Sequence, residues 1–215
     1  MNRDGALAQR LRFPARSAHA VPPGVDVEDA LFAEPTAVAL RAVLRSGAGS
    51  RSRVLVVGGG TLGWLAAAVF LDLLDAEVAA LEPNAGRMGG WRRWACARPG
   101  RRRSSTSCWR PAAAGAAWPR PWTGWASSGR LVVIGLTGAE SVPVDLDRVV
   151  VNDQVVLGSL WAVPTYGRRP LSCSGRGRVR PSALVTHRYS LEAVGEAVAT
   201  MRDRAPGTGK VLVLP

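Results

Sequence analysis

The run Val-Leu-Val-Val-Gly-Gly-Gly-Thr-Leu-Gly at residues 54–63 constrains the fold more than any other part of the chain. Val54, Leu55, Val56 and Val57 are four β-formers without polar alternation, the pattern of a strand buried on both faces. Gly58, Gly60 and Gly63 follow at the spacing G-x-G-x-x-G. In such a turn the first glycine lets the chain leave the strand tightly. The second lets a pyrophosphate approach the backbone, and the third lets the next helix pack close to the strand. Residues 61–74 read as that helix, closed by Asp75. Its first amides, at Thr61 and Leu62, offer unpaired N–H groups and a positive partial charge to phosphates. Residues 78–81 read as a second buried strand ending at Glu82, so one β-α-β unit with a parallel, right-handed crossover is expected.

Glu82 stands where a carboxylate can bind both ribose hydroxyls of a dinucleotide, and its charge repels a 2′-phosphate, which favours NAD over NADP. Arg87, five residues further on, is a candidate to pack on the adenine or meet a phosphate, or is a solvated loop arginine. A purely structural glycine turn and a methyltransferase share the strand–glycine–strand–acid grammar, so dinucleotide binding is weighed against both.

Around this unit the pattern is mixed. Residues 11–23 are apolar, proline-punctuated and closer to strand and loop than to helix. Asp26 can cap a helix whose first turn holds Glu28 and Asp29. Alanine-rich residues 30–44 continue as helix, with a break or new start forced near Pro35. Residues 131–134 form a further buried strand, and 142–146 and 149–157 also read as strand. Ser190 caps a helix expected at 191–201 with Glu192 in its first turn, and 210–214 read as a closing strand. The uncharged run 54–71 approaches the length of a membrane span, but Gly58, Gly59 and Gly60 inside it fit a soluble strand–turn–helix, and no membrane partner is expected. No secretory signal is evident, and three cysteines without CxxC spacing fit a reducing cytoplasm.

The formal charge of +12 would suggest a nucleic-acid partner if it were spread over a face. Instead residues 87–130 hold ten arginines and no acid, and no RRM, KH, OB or helix-turn-helix pattern frames them. No nucleic-acid partner is expected. Residues 88–128 also hold six of the eight tryptophans, without helical or strand period.

In order along the chain, Ala33-Glu34-Pro35-Thr36 and its helix, the glycine turn, "GRLVVIGL" and a terminal "TH-x-x-SLE…GKVLVLP" resemble the zinc-containing medium-chain alcohol dehydrogenases, in particular the polyol and threonine dehydrogenase branch. The resemblance implies an α/β fold: a Rossmann-type doubly wound, mainly parallel sheet, with remnants of a GroES-like barrel at both chain ends. Residues 1–30 then correspond to the end of the GroES-like catalytic domain, 31–165 to an NAD-binding Rossmann domain, and 166–215 to a segment returning to the catalytic domain. The implied function is hydride transfer between a secondary alcohol (a polyol, amino-cyclitol or amino-alcohol) and NAD in the cytoplasm, by an enzyme that can form homo-oligomers.

Two departures qualify that expectation. The family's zinc-ligand cysteine, its Gly-His-Glu segment and its structural zinc lobe have no counterpart, so the chain is expected to be an N-terminally truncated form that does not retain zinc. Glu34 is similar to a glutamate near or on the family's catalytic zinc and is the one catalytic and metal-site candidate; standing alone, it is expected to be a buried, hydrogen-bonded carboxylate. His187 is read as structural. The abrupt edges of 88–128 and of 167–178 fit a reading-frame slip in a GC-rich gene. The alternatives are a non-catalytic dinucleotide-binding remnant, a zinc-free quinone-type reductase and a nucleic-acid-binding protein.

Overall fold

The computed structural model describes residues 5–50, 52–81, 126–135, 144–161, 180–203 and 207–215. In chain order they form α1 (Val27–Ala30), α2 (Ala33–Ser46), β1 (Arg53–Val57), α3 (Thr61–Leu74), β2 (Glu77–Leu81), β3 (Arg130–Val133), α4 (Leu146–Val151), β4 (Val155–Gly158), β5 (Val185–Ser190), α5 (Val194–Asp203) and β6 (Lys210–Leu214). Every described strand pairing is parallel: β1 with β2, β3 with β4, and β5 with β6. The β1–β2 ladder runs from Arg53 opposite Glu77 to Val57 opposite Leu81, which is the β-α-β unit expected from the sequence.

The helices start and stop where local chemistry tells them to. The Asp26 side chain accepts from the Glu28 amide at 2.8 Å and starts α1. The chain then turns at Leu31 and Phe32, and Pro35 falls in the first turn of α2, where its missing N–H has no intrahelical acceptor to lose. Gly47, at φ 66°, ends α2 in the left-handed conformation that a residue without Cβ adopts readily. Asp75 ends α3 the same way at φ 53°.

The core is built around α3. Seven successive residues, Trp64 to Phe70, are buried, because α3 packs on β1 and β2 on one side and against α2 on the other. This explains the absence of charge from the first ten positions of that helix. From α2, Ala39, Leu40 and Val43 meet it, and Phe32 plugs the end of the same cluster. Val54 and Val56 of β1, and Val78 and Ala80 of β2, supply the sheet side.

Several sequence expectations need correction. Among the described residues the strand at 54–57 is covered on one face only: Val56 is buried, while Leu55 is 61% exposed and Val57 also open. Among the described residues the helical layer lies on one side of this ladder, so the β-formers that read as doubly buried are half used. Residues 11–23 form no strand; they hold one short 3-10 turn, Ala15–Ser17, and are mostly exposed. A strand needs a partner ladder to satisfy its amides, and none stands beside this segment among the described residues.

The strand expected over 149–157 is helix in its first part. Asp145 caps α4 through the Arg148 amide at 3.0 Å, and Asn152 closes it by donating from its side chain to the Arg148 carbonyl at 2.8 Å. Asp153 then turns at φ 50° and the strand begins at Val155. Two caps around six residues outweigh the β-preference of three valines. The C-terminal helix begins at Val194, after a turn through 191–193, and not at 191. The six residues before that turn form β5, whose alternating burial was not read from the sequence. The closing strand at 210–214 is as expected.

Candidate functional site

The site is the turn between β1 and α3, and the three glycines of its G-x-G-x-x-G spacing, Gly58, Gly60 and Gly63, can be tested one by one. Gly58 has φ 103°, outside the range L side chains normally adopt, so the exit from β1 requires glycine on backbone grounds alone. A Cβ on Gly63 would overlap the Gly58 carbonyl oxygen and stand 3.3 Å from Val56 Cγ1. The third glycine is therefore what lets the first turn of α3 rest against the end of β1. Gly60 differs from both. Its φ is −70°, and a Cβ built there meets nothing within 4 Å. Folding makes no demand for glycine at this position. A ligand that must approach the backbone closely would.

Gly60 is the N-cap of α3, with its carbonyl accepting from the Trp64 amide at 2.9 Å and no side-chain cap over the helix start. Thr61, Leu62 and Gly63 are part-exposed at this end. The first amides of a helix have no intrahelical acceptor, and a helix of 14 residues places a positive partial charge at them. A helix start of this kind suits an anionic group. Glu82 and Arg87, the acid and the arginine expected to complete it, lie outside the described residues, as do most of 88–128 and all of 167–178.

Glu34 requires a correction. It lies in the first turn of α2, where a carboxylate suits the positive helix end, but it is exposed and not a buried, hydrogen-bonded group. The helix start at Ala33 puts Phe32, not Glu34, into the core. Among the described residues no three His, Cys, Asp or Glu side chains lie close enough to hold a metal ion. Zinc takes four ligands, or three with a water, so Glu34 alone does not fit it. His187 makes a 2.8 Å hydrogen bond with the Thr186 hydroxyl and stacks on Tyr189, in keeping with a structural role.

The sequence reading missed an acidic contact. Glu28 and Asp29, read only as first-turn residues, reach residues more than 150 positions away. The Arg188 guanidinium donates to both Glu28 carboxylate oxygens, at 2.8 and 2.6 Å. This holds the Glu28 carboxyl below its ordinary range and raises Arg188. Asp29, 9% exposed, accepts from the Ser182 amide at 2.8 Å. Glu192 is also held low, by its own backbone amide and then by the Ser190 side chain. Nothing in local sequence signals a pairing across such a separation.

No family model matches the chain. A 2-dehydro-3-deoxy-L-galactonate 5-dehydrogenase from Pseudoalteromonas atlantica is 37% identical over 83 residues, which are 39% of this chain and 24% of that protein. Among solved structures, a zinc-binding dehydrogenase from Sinorhizobium meliloti 1021 bound to NADP superposes with a TM-score of 0.79 at 22% identity, covering 99% of this chain and 67% of that one. An alcohol dehydrogenase from E. coli CFT073 complexed with NADH gives 0.75 at 19% identity, covering 93% of this chain and 63% of that one. The L-idonate 5-dehydrogenase of Escherichia coli K-12 gives 0.70 at 19%, covering 90% and 59%. The chain thus spans about a quarter of the curated relative it matches and about three-fifths of two of these structures. It shares their fold, an α/β arrangement with parallel strands of the Rossmann type, and the family resemblance drawn from sequence is borne out at that level.

Proposed function

We propose that this chain carries the dinucleotide-binding half of an NAD-dependent oxidoreductase of the alcohol and polyol dehydrogenase type. The carrying observation is the contrast within one turn: Gly58 and Gly63 are required by the fold, whereas Gly60 has free space where a side chain would stand. In this reading the amides at Thr61, Leu62 and Gly63 bind the pyrophosphate. Glu82 accepts from the ribose hydroxyls and disfavours a 2′-phosphate, and Arg87 lies against the adenine or a phosphate.

Bound nicotinamide supplies the hydride acceptor for a secondary alcohol. The chain's own share is to fix the adenine end, so that binding energy from this remote part holds the reacting end in place. The substrate class is a polyol, amino-cyclitol or amino-alcohol, small and diffusible, and the compartment is the cytoplasm. Among the described residues no helix is long and apolar enough to cross a membrane. Residues 1–30 and 166–215 would belong to a GroES-like catalytic part and 31–165 to the Rossmann domain, with two chains able to pair through their sheets. Zinc chemistry would need ligands besides Glu34.

The test is NADH titration of the purified chain by fluorescence, beside Gly60→Ala and Glu82→Ala. Binding that both substitutions weaken supports the reading. A folded protein with no affinity for adenine dinucleotides overturns it. Binding without turnover of any alcohol identifies the non-catalytic alternative.

A further inference from the structure

The described residues of the stretch 180–215, namely 180–203 and 207–215, form a unit with its own ladder. β5 pairs with β6, and α5 packs on both strands. The unit is pinned internally by the Tyr189 hydroxyl against that of Thr200 at 2.7 Å, and by the Gly209 amide donating to the Thr186 hydroxyl at 3.0 Å. Its broadest contact with the rest of the described chain is made by α1, against the 3-10 turn Pro181–Leu184. The apolar part of that junction is Pro181, fully buried in the turn, with Leu184 and Val185, both part-exposed, against the core. The polar part is the bidentate Glu28–Arg188 pair and the Asp29 carboxylate on the Ser182 amide.

We propose that α1 is a clasp. It fastens the 180–215 unit to the α2–α3 core, and its two acids control whether that unit stays docked and folded or undocks and unfolds as one cooperative body while the core stays folded. α1 is suited to this because it is short and firmly rooted. It runs through Leu31 into Phe32, which is 1% exposed in the core, so its acids are held on a fixed arm. A charge-assisted hydrogen bond from a backbone amide to a carboxylate is among the stronger polar contacts. A part-exposed ion pair is weaker and is screened by salt. A junction of these contacts and three apolar residues holds less than the thirteen-residue cluster behind it, and opens at lower free energy than the core unfolds. The inference does not depend on the dinucleotide reading.

Native-state hydrogen exchange of the full chain, resolved by peptide, tests it. The expected result is that Glu28→Gln, or about 0.5 M added salt, speeds exchange in β5 and β6 by about two- to fivefold, while α3 is unchanged. Asp29→Ala speeds it by about tenfold or more, again without moving α3. The exchanged pair Glu28→Arg with Arg188→Glu brings β5 and β6 back to within about twofold of the parent. If Asp29→Ala fails to fold, the Glu28→Gln and salt arms decide alone. The clasp is overturned if β5, β6 and α3 exchange at one common rate and shift together, or if neither Glu28→Gln nor salt alters β5 and β6.

Discussion

The α-carbon of Gly63 faces the carbonyl oxygen of Gly58 so closely that a Cβ on Gly63 would occupy the oxygen's own space. Strand exit and helix start are thus packed so tightly that any side chain at position 63 must push them apart. Replacing Gly63 by Ala forces α3 away from Val56 and should cost about 1–3 kcal/mol, the range for overpacking a tight site. Urea unfolding would show a lower midpoint with an unchanged slope.

Gly58 and Gly60 should separate stability from binding. Gly58→Ala has room for its methyl but not the backbone, at φ 103°, and should lose about 1–2 kcal/mol. Gly60→Ala has both room and an ordinary φ, and should stay within about 0.5 kcal/mol of the parent. Its NADH affinity should nonetheless fall by about tenfold or more, equivalent to about 1.4 kcal/mol. Paired urea and fluorescence titrations on the two variants check this, and equal effects on both quantities would contradict it.

Two leucines that look alike in sequence should behave differently. Leu65, 1% exposed at the centre of α3, should cost about 2–5 kcal/mol on truncation to Ala. Leu55, 61% exposed on the open face of β1, should cost less than about 0.5 kcal/mol. Thermal melts of the two variants are sufficient to separate them.

The acid limb of stability should carry the signature of Glu28. Its carboxyl is held below its unfolded value by Arg188, so the pair's contribution is fully present above the unfolded carboxylate pKa of about 4.3. It is lost as pH falls through the lower folded value. The difference in melting temperature between parent and Glu28→Gln should be constant near neutrality and shrink below about pH 4. Because the pair is solvent-accessible, added salt should shrink that difference too. Glu192, held low by its own amide and then by Ser190, acts with the same sign.

Much of the central unit was legible because its signals are local. A run of β-formers, glycines at fixed spacing and an uncharged helix specify β1, the turn and α3 through contacts a few residues apart. The start of α1 at Asp26 and the restart of α2 around Pro35 were legible for the same reason. The reading failed where two local preferences compete. Leu146 to Val151 has the valines of a strand and the caps of a helix, and the caps won. It failed again at Glu34, expected to be a buried, hydrogen-bonded carboxylate yet exposed on the first turn of α2.

The sequence by itself determined the β-α-β unit and the position of its glycine turn, because backbone freedom and helix capping are properties of adjacent residues. Only the tertiary structure decided which face of β1 is covered, that Gly60 alone of the three glycines is spare, and that Glu28 and Asp29 reach Arg188 and Ser182. Those outcomes depend on which surfaces meet when distant segments collapse together, and burial and charge pairing act through space with no regard to order along the chain.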